Sequence, residues 1–432
     1  MKRQLCARRI GVCLIFGCAC VIQAWRVQGQ AQWETVPDIK LQAESNDNPT
    51  LDSGFGVTPG TPSPIDSANR VLADAAIRFR RANPRGELML EPRVRRDAYA
   101  NEEAQPLEST DVFFRSSGLK NGQTTRVGYS ADLARERIIG LEFLETLDPV
   151  DDDPTAVATN QVGANELRTR IGVAPYVDIE LNSRTLLRLD GRIVDVDYNS
   201  GATAGRTDFL ERAIGGEYRK QLSDQRGSLG VHVFATGYEA ALNNNTTDTR
   251  GIELIFGREL SELWTWNVSG GTQRSDYALS AGGRRIRGTD SSAIFGVGLS
   301  KRAEVSTMRV DVRRTMSPDS LGFVAPRDEF RVAWQRMLSA KINGRIVVRA
   351  IDAEGIPTVA NSERLYGRAE LDVEWQFSPT WWITAGYAHS TAQRDVVVNN
   401  VTVSNSSDSN ALTVGLRYRG KSTQRQPGDL AR

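Results

Sequence analysis

The chain has 432 residues, and its 54 lysines and arginines are balanced by 53 acids to a net charge of +1, which leaves no basic signature of a nucleic-acid binder. Its mean hydropathy is −0.39, and no stretch beyond residue 22 approaches the roughly 18 uninterrupted apolar residues of a membrane-spanning helix. A transmembrane β-barrel is not excluded, because its strands alternate lipid-facing and water-facing residues and average to polar.

Residues 1–31 read as a secretory signal peptide. Lys2, Arg3, Arg8 and Arg9 form a positive start, an apolar stretch runs from Ile10 to Ile22, and Val27-Gln28-Gly29 and Gly29-Gln30-Ala31 offer cleavage sites. Ile15-Phe16-Gly17-Cys18 loosely resembles a lipobox, the alternative processing route. All four cysteines (Cys6, Cys13, Cys18, Cys20) lie in this segment. The exported remainder therefore lacks the disulfides that stabilise small secreted domains, and a strand ladder closed in lipid would serve instead. Removing five positive charges, Arg26 included, leaves a net charge of about −4.

The remainder is one series of alternating segments without a helical period or a linker. In chain order, Arg78, Arg80, Glu91, Arg93 and Arg95 fall on wet faces. Leu167, Thr169, Ile171, Val173, Pro175, Val177 and Ile179 alternate with Arg168, Arg170, Tyr176, Asp178 and Glu180. Leu187, Leu189 and Ile193 alternate with Arg188, Asp190 and Arg192, and a phase slip, a bulge, is expected near Val194. Met308, Val310 and Val312 oppose Arg309, Asp311 and Arg313. Ile342, Ile346 and Val348 oppose Lys341, Asn343, Arg345 and Arg349. The clearest strand, Leu365 to Phe377, carries Leu365, Leu371, Val373, Trp375 and Phe377 on one face and Tyr366, Arg368, Glu370, Asp372 and Glu374 on the other. The last opposes Leu412, Val414, Leu416 and Tyr418 to Thr413 and Arg417.

Short connections such as Asn121-Gly122, Asn182-Ser183 and Ser378-Pro379 alternate with long ones, 45–66, 100–108, 139–160, 199–206, 241–248, 280–288, 317–326, 354–361 and 396–407. Short periplasmic turns and long extracellular loops produce this rhythm in outer-membrane barrels. The count is eighteen antiparallel strands in a closed up-and-down barrel over 32–419, with sixteen as the second reading and 420–432 as a periplasmic tail. Tyr99, Tyr198, Tyr238, Tyr277 and Tyr387 fall beside long connections, whereas Trp264, Trp266, Trp375, Trp381 and Trp382 fall beside short ones. Two aromatic girdles are the expectation. A β-propeller would show a repeat of about 40–50 residues, which is missing. An iron-complex transporter would need about 22 strands and an N-terminal plug.

The wet faces point to a lumen lined by Arg168, Arg170, Arg188, Asp190, Arg192, Arg309, Asp311, Arg313, Arg345, Arg349, Arg368, Glu370, Asp372, Glu374 and Arg417. Such a lining sets ion preference, or else forms a salt-bridge network that only stiffens the wall. Segment 139–160 joins apolar Leu141, Phe143 and Leu144 to acidic Asp148, Asp151, Asp152 and Asp153, the pattern of a constriction loop folded into the barrel; the bland alternative is a surface loop whose acids bind divalent cations shared with lipopolysaccharide. No enzyme is read here. The two histidines are His232 and His389, and Ser390 lies on the opposite face from its neighbour His389, so the pair cannot act together locally. No phosphate or dinucleotide fingerprint appears, and no metal or cofactor is expected.

Glu44-Ser45-Asn46-Asp47-Asn48-Pro49 in the first exported strand, and a final hairpin running from Ser378-Pro379-Thr380-Trp381-Trp382 through Tyr387 and Asp408-Ser409-Asn410-Ala411-Leu412 to Gly415-Leu416-Arg417-Tyr418, resemble the outer-membrane β-barrel porins associated with exopolysaccharide loci of proteobacteria. The resemblance covers the exported chain in architecture and implies an outer-membrane pore with a role in surface polysaccharide export; it carries no catalytic residues. The partners it suggests are membrane lipid and lipopolysaccharide, small polar solutes or glycans, the barrel-assembly machinery and polysaccharide-export proteins. A plugged, adhesive barrel is the competing reading. The residues after Tyr418 depart from barrels that end on their last aromatic strand.

Overall fold

The computed structural model describes residues 32–49, 51, 67–138, 166–198, 207–241, 244–281, 284–318, 324–353, 362–398, 401–421 and 423–425. Residues 1–31, read above as a signal peptide, and Asp148, Asp151, Asp152 and Asp153 lie outside them. The described residues form β1 (Gln32–Asn46), β2 (Ala68–Asn83), β3 (Gly86–Tyr99), β4 (Ser109–Asn121), β5 (Thr125–Ile138) and β6 (Glu166–Asn182). Then follow β7 (Thr185–Tyr198), β8 (Phe209–Gln221), β9 (Gly227–Ala240), β10 (Asn245–Glu259), β11 (Trp264–Ala281) and β12 (Arg284–Ala303). The series ends with β13 (Ser306–Pro318), β14 (Val324–Ser339), β15 (Ile342–Ala353), β16 (Ser362–Ser378), β17 (Trp381–Val398), β18 (Val401–Arg419) and the short β19 (Thr423–Arg425). A 3-10 helix, Glu102–Leu107, lies between β3 and β4.

Strands β1 to β18 each pair antiparallel with their neighbours in sequence, and β1 pairs with both β2 and β18. Ile39 thus faces Ala75 on one side and Tyr418 on the other. The expected eighteen-stranded closed barrel is what forms. The tail expected from residue 420 first contributes β19, which pairs with Trp33–Thr35 and prolongs the seam. Connections of a few residues lie at the end that holds both seam termini, here the turn end; the long connections lie at the other, the loop end.

The two faces differ in kind. Ile39, Leu41, Val94, Phe114, Ile193, Ile214, Leu254, Leu371 and Leu412 point outward and remain exposed. An apolar surface of this extent fits hydrocarbon rather than water. At the turn end, Trp375, Phe377 and Trp381 are exposed on the same outer side. Trp381 packs 5.0 Å from Tyr418, and Phe256 meets Trp266 edge-on at 5.6 Å, a girdle at the lipid–water boundary.

The second girdle differs from expectation. Tyr99, Tyr198 and Tyr238 point inward and are buried, and Tyr277 packs inward against Leu279 and Ala325; Tyr387 alone of the five stays exposed outside. Nor does the register slip near Val194. The β6–β7 ladder shifts between Glu180 and Asn182, at the turn end, and keeps one register from Tyr176↔Asp190 to Arg168↔Tyr198, with rungs missing only at Ala174 and Pro175. Val194, Val196 and Tyr198 continue the inward phase of Arg192. They belong to a dry collar with Ile138, Phe209, Tyr238 and Ala240, so apolar residues on the inner face imitate a change of phase. Several connections are also shorter than expected: β11, β12, β17 and β18 run to 18, 20, 18 and 19 residues, beyond the ~10 residues a tilted strand needs to cross lipid. Ladder pairing continues past the span that lipid requires.

The two quoted motifs meet at the loop end of the seam. Asp47 Oδ1 accepts the Asn410 backbone N–H at 2.6 Å, and its Oδ2 accepts Asn410 Nδ2 at 2.7 Å. Asn46 Oδ1 accepts from the Ser409 hydroxyl at 2.8 Å, and Asn48 Nδ2 donates to the Asp408 carbonyl at 3.0 Å. The donors on Asn410 hold the Asp47 carboxyl below the usual carboxylate range, so the clasp is intact at neutral pH and weakens when acid protonates Asp47. Asn410→Ala is expected to lower the urea unfolding free energy in detergent by roughly 1 kcal/mol, while Ser404→Ala, exposed on the same strand, changes it by under about 0.5 kcal/mol.

Candidate functional site: the barrel lumen

Because side chains alternate along each strand, the charged residues opposite the apolar face converge inside. Cross-strand register then decides who pairs. Arg345 meets Asp372 at 2.8 Å, and Arg368 meets Glu370 on its own strand at 2.5 Å. Arg417 bridges Asp38 at 2.6 Å and Glu374 at 2.9 Å, tying β18 to β1 and β16. Arg309 pairs with Asp311 at 2.6 Å. Arg188 pairs with Asp178 at 2.9 Å and lies 4.5 Å above the Tyr176 ring, and Arg192 pairs with Glu211. Arg168 and Arg170 also face inward, but they are 1% and 3% exposed and held by Glu136 at 2.6 Å and Asp132 at 2.7 Å. Their place is in the wall rather than on its wetted surface.

The densest knot surrounds Glu329 on β14, a residue the sequence pattern did not single out. Arg313 reaches it at 2.9 Å, Arg327 at 3.2 Å and Arg349 at 2.7 Å. Arg327, Glu329 and Arg331 do alternate with Pro326, Phe330 and Val332, but Asp328 on the lipid-side phase interrupts the pattern. The inner face of β13–β15 therefore gathers six arginines, Arg309, Arg313, Arg327, Arg331, Arg345 and Arg349, against Asp311 and Glu329. The inner face of β7–β10 carries Asp190, Glu211, Glu217 and Glu253 against Arg188, Arg192 and Arg219.

Both walls border one cavity of about 1140 Å³. Its lining takes Arg188, Asp190, Arg192, Glu217, His232 and Glu253 from one wall and Arg309, Asp311, Arg313, Glu329 and Arg331 from the other. Two smaller spaces, about 610 and 250 Å³, follow the seam side and share Lys40, Arg345 and Asp372. Toward the loop end the collar begins at Ile138, the last residue of β5, and packs Phe209 against Tyr238 with ring centroids 5.3 Å apart and planes tilted by 39°. His389 and Ser390 sit on opposite faces: His389 contacts Asn410 at 3.0 Å outside, while Ser390 accepts a hydrogen bond from Arg368 inside at 3.3 Å. Among the described residues no cluster of metal-ligating side chains occurs.

No family model and no curated relative matches the chain. Among solved structures, Pseudomonas aeruginosa OccK2 (OpdF) aligns over 90% of this chain and 98% of its own, with 9% identity and a TM-score of 0.46. Pseudomonas aeruginosa OpdK with vanillate aligns over 89% and 99%, with 10% identity and a TM-score of 0.44. The ferric-catecholate import receptor Fiu from E. coli K12 aligns over 91% and 82%, with 9% identity and a TM-score of 0.42.

Glu329 is 5% exposed, and its removal leaves three guanidinium groups crowded without their shared anion. Glu329→Ala is expected to destabilise the barrel by on the order of 3 kcal/mol in urea titration. Asp311→Ala, which breaks a wetter pair, should cost less than about 1 kcal/mol.

Proposed function

We propose that the chain is an outer-membrane pore for small polar solutes, with a preference for anions. The observation that carries this reading is the charge-lined cavity inside a closed barrel, whose β13–β15 side is lined by Arg309, Arg313, Arg327 and Arg331 against Asp311 and Glu329. Ordered charges around a water-filled passage favour counter-ions and orient polar solutes. A plugged structural barrel would have no need of a basic wall facing open space.

In planar bilayers the purified protein should conduct, and reversal potentials across a salt gradient should report chloride over potassium. Arg309→Ser with Arg331→Ser should move that ratio toward unity. Failure to conduct at any protein density would remove the pore reading, and an unchanged ratio would remove the assigned role of the basic wall.

Two finer readings follow from the same proposal. The first is that apolar Leu141, Phe143 and Leu144 dock near the collar and bring Asp148, Asp151, Asp152 and Asp153 into the passage. Its support is that β5 delivers Ile138 straight into the collar. Deleting 145–155 should raise single-channel conductance, and an unchanged value would end this reading. The second is that the pore serves export of a surface polysaccharide. It rests on the sequence resemblance, and loss of surface polymer on gene deletion, restored by the gene, is its check.

A further inference from the structure

The wall formed by β7–β10 has a feature that ion pairing leaves unexplained. Phe234 and His232 project from β9 into the main cavity, with ring centroids 5.5 Å apart and planes within 25°. Each ring lies over a glycine of a neighbouring strand. Gly251 stands directly opposite Phe234 in the ladder, and a Cβ there would overlap the phenyl ring. A Cβ at Gly215 would come within 2.8 Å of His232 Nε2. The two bare positions allow the rings to lie along the wall instead of standing off it, and both remain partly exposed to the cavity.

Carboxylates rim this floor. Asp190 Oδ2 lies 2.9 Å from the same Cβ position at Gly215. Glu253 Oε2 is 3.9 Å from His232 Nδ1, and Glu217 stands directly opposite His232. A phenyl face left in water is unfavourable in proportion to its area, and a carboxylate offers only acceptors. The complementary solute has one apolar C–H face and a perimeter of hydroxyl donors. That is the description of a pyranose ring. An ammonium ligand would also favour aromatic faces beside acids, but two carboxylates of this wall already have arginine partners, Glu217 with Arg219 at 2.7 Å and Glu211 with Arg192.

We infer that Phe234 and His232, with Asp190, Glu217 and Glu253, form a subsite for one sugar unit of a neutral saccharide in the lumen. The inference deepens the pore reading, on which it depends for how a sugar arrives, but the binding itself is measurable without conduction.

Maltohexaose, a neutral glucose oligomer, is the probe, read by calorimetry in detergent and by current block in bilayers. Wild type should bind it, and Phe234→Ala should weaken binding by about fivefold or more, the loss of one aromatic stacking contact. Gly251→Ala, which displaces the ring, should weaken it too. Phe113→Ala removes an inward ring from another wall, where it is covered by Arg93 and Arg95 at 5.4 and 5.5 Å, and should leave binding unchanged. Absence of maltohexaose binding in calorimetry, or equal binding by Phe234→Ala, overturns the subsite. Binding of spermidine but not maltohexaose, lost in Phe234→Ala, overturns it in favour of a cation site. Sugar binding in detergent together with no conductance keeps the subsite and rejects the pore.

Discussion

A backbone N–H or C=O in hydrocarbon has no water to bond with, and each one left unpaired costs several kcal/mol. Eighteen strands in an open sheet would present two full edges to lipid. The pairing of β1 with β18 removes both edges at once, and every other property of the molecule assumes it. The chain reinforces that seam at each end. At the turn end β19 adds rungs opposite Trp33–Thr35 and Gly420 donates to the Pro37 carbonyl. At the loop end Asn46, Asp47 and Asn48 clasp the strand that arrives some 360 residues later.

Closure divides side chains into two solvents. The outer set needs only to be apolar, and it varies freely among Ile, Leu, Val and Phe. The inner set is constrained by partners, because a charge on a strand next to another meets whatever the register places opposite. The result is a ladder of arginine–carboxylate pairs graded in burial, from Arg168–Glu136 inside the wall to Arg309–Asp311 in the wetted passage. Where arginines outnumber acids, around Glu329, the imbalance is directed into the cavity. The same wall that stiffens the barrel thereby acquires a field, so structural and selective roles are not alternatives here.

The alternation was readable wherever the wet face was charged, as in Leu365 to Phe377, and from it came the barrel and its eighteen strands. It misled where the inner face was dry. Val194, Val196 and Tyr198 look like a lipid face in sequence because apolar packing under the collar and apolar contact with acyl chains select the same residues. For the same reason Tyr99, Tyr198, Tyr238 and Tyr277 resembled a girdle while pointing inward. Cross-strand partners were beyond reach: Asp47 with Asn410, or Arg313 and Arg349 on Glu329, are set by register between strands and leave no local trace. The lumenal arginines could be assigned to a face from sequence, yet the burial of Arg168 and Arg170 depends on Glu136 and Asp132 across the β5–β6 ladder.

The central claim is that lipid bathes one side of every strand and water the other. All four native cysteines lie within residues 1–31, so spin labels at single introduced cysteines can be read along 369–375 in liposomes, with oxygen as the lipid-soluble relaxant and a nickel chelate as the water-soluble one. Labels at 369, 371, 373 and 375 should relax with oxygen and those at 370, 372 and 374 with nickel, in strict alternation. A uniform profile, or one repeating every three to four residues, would contradict the barrel and everything inferred from its lumen.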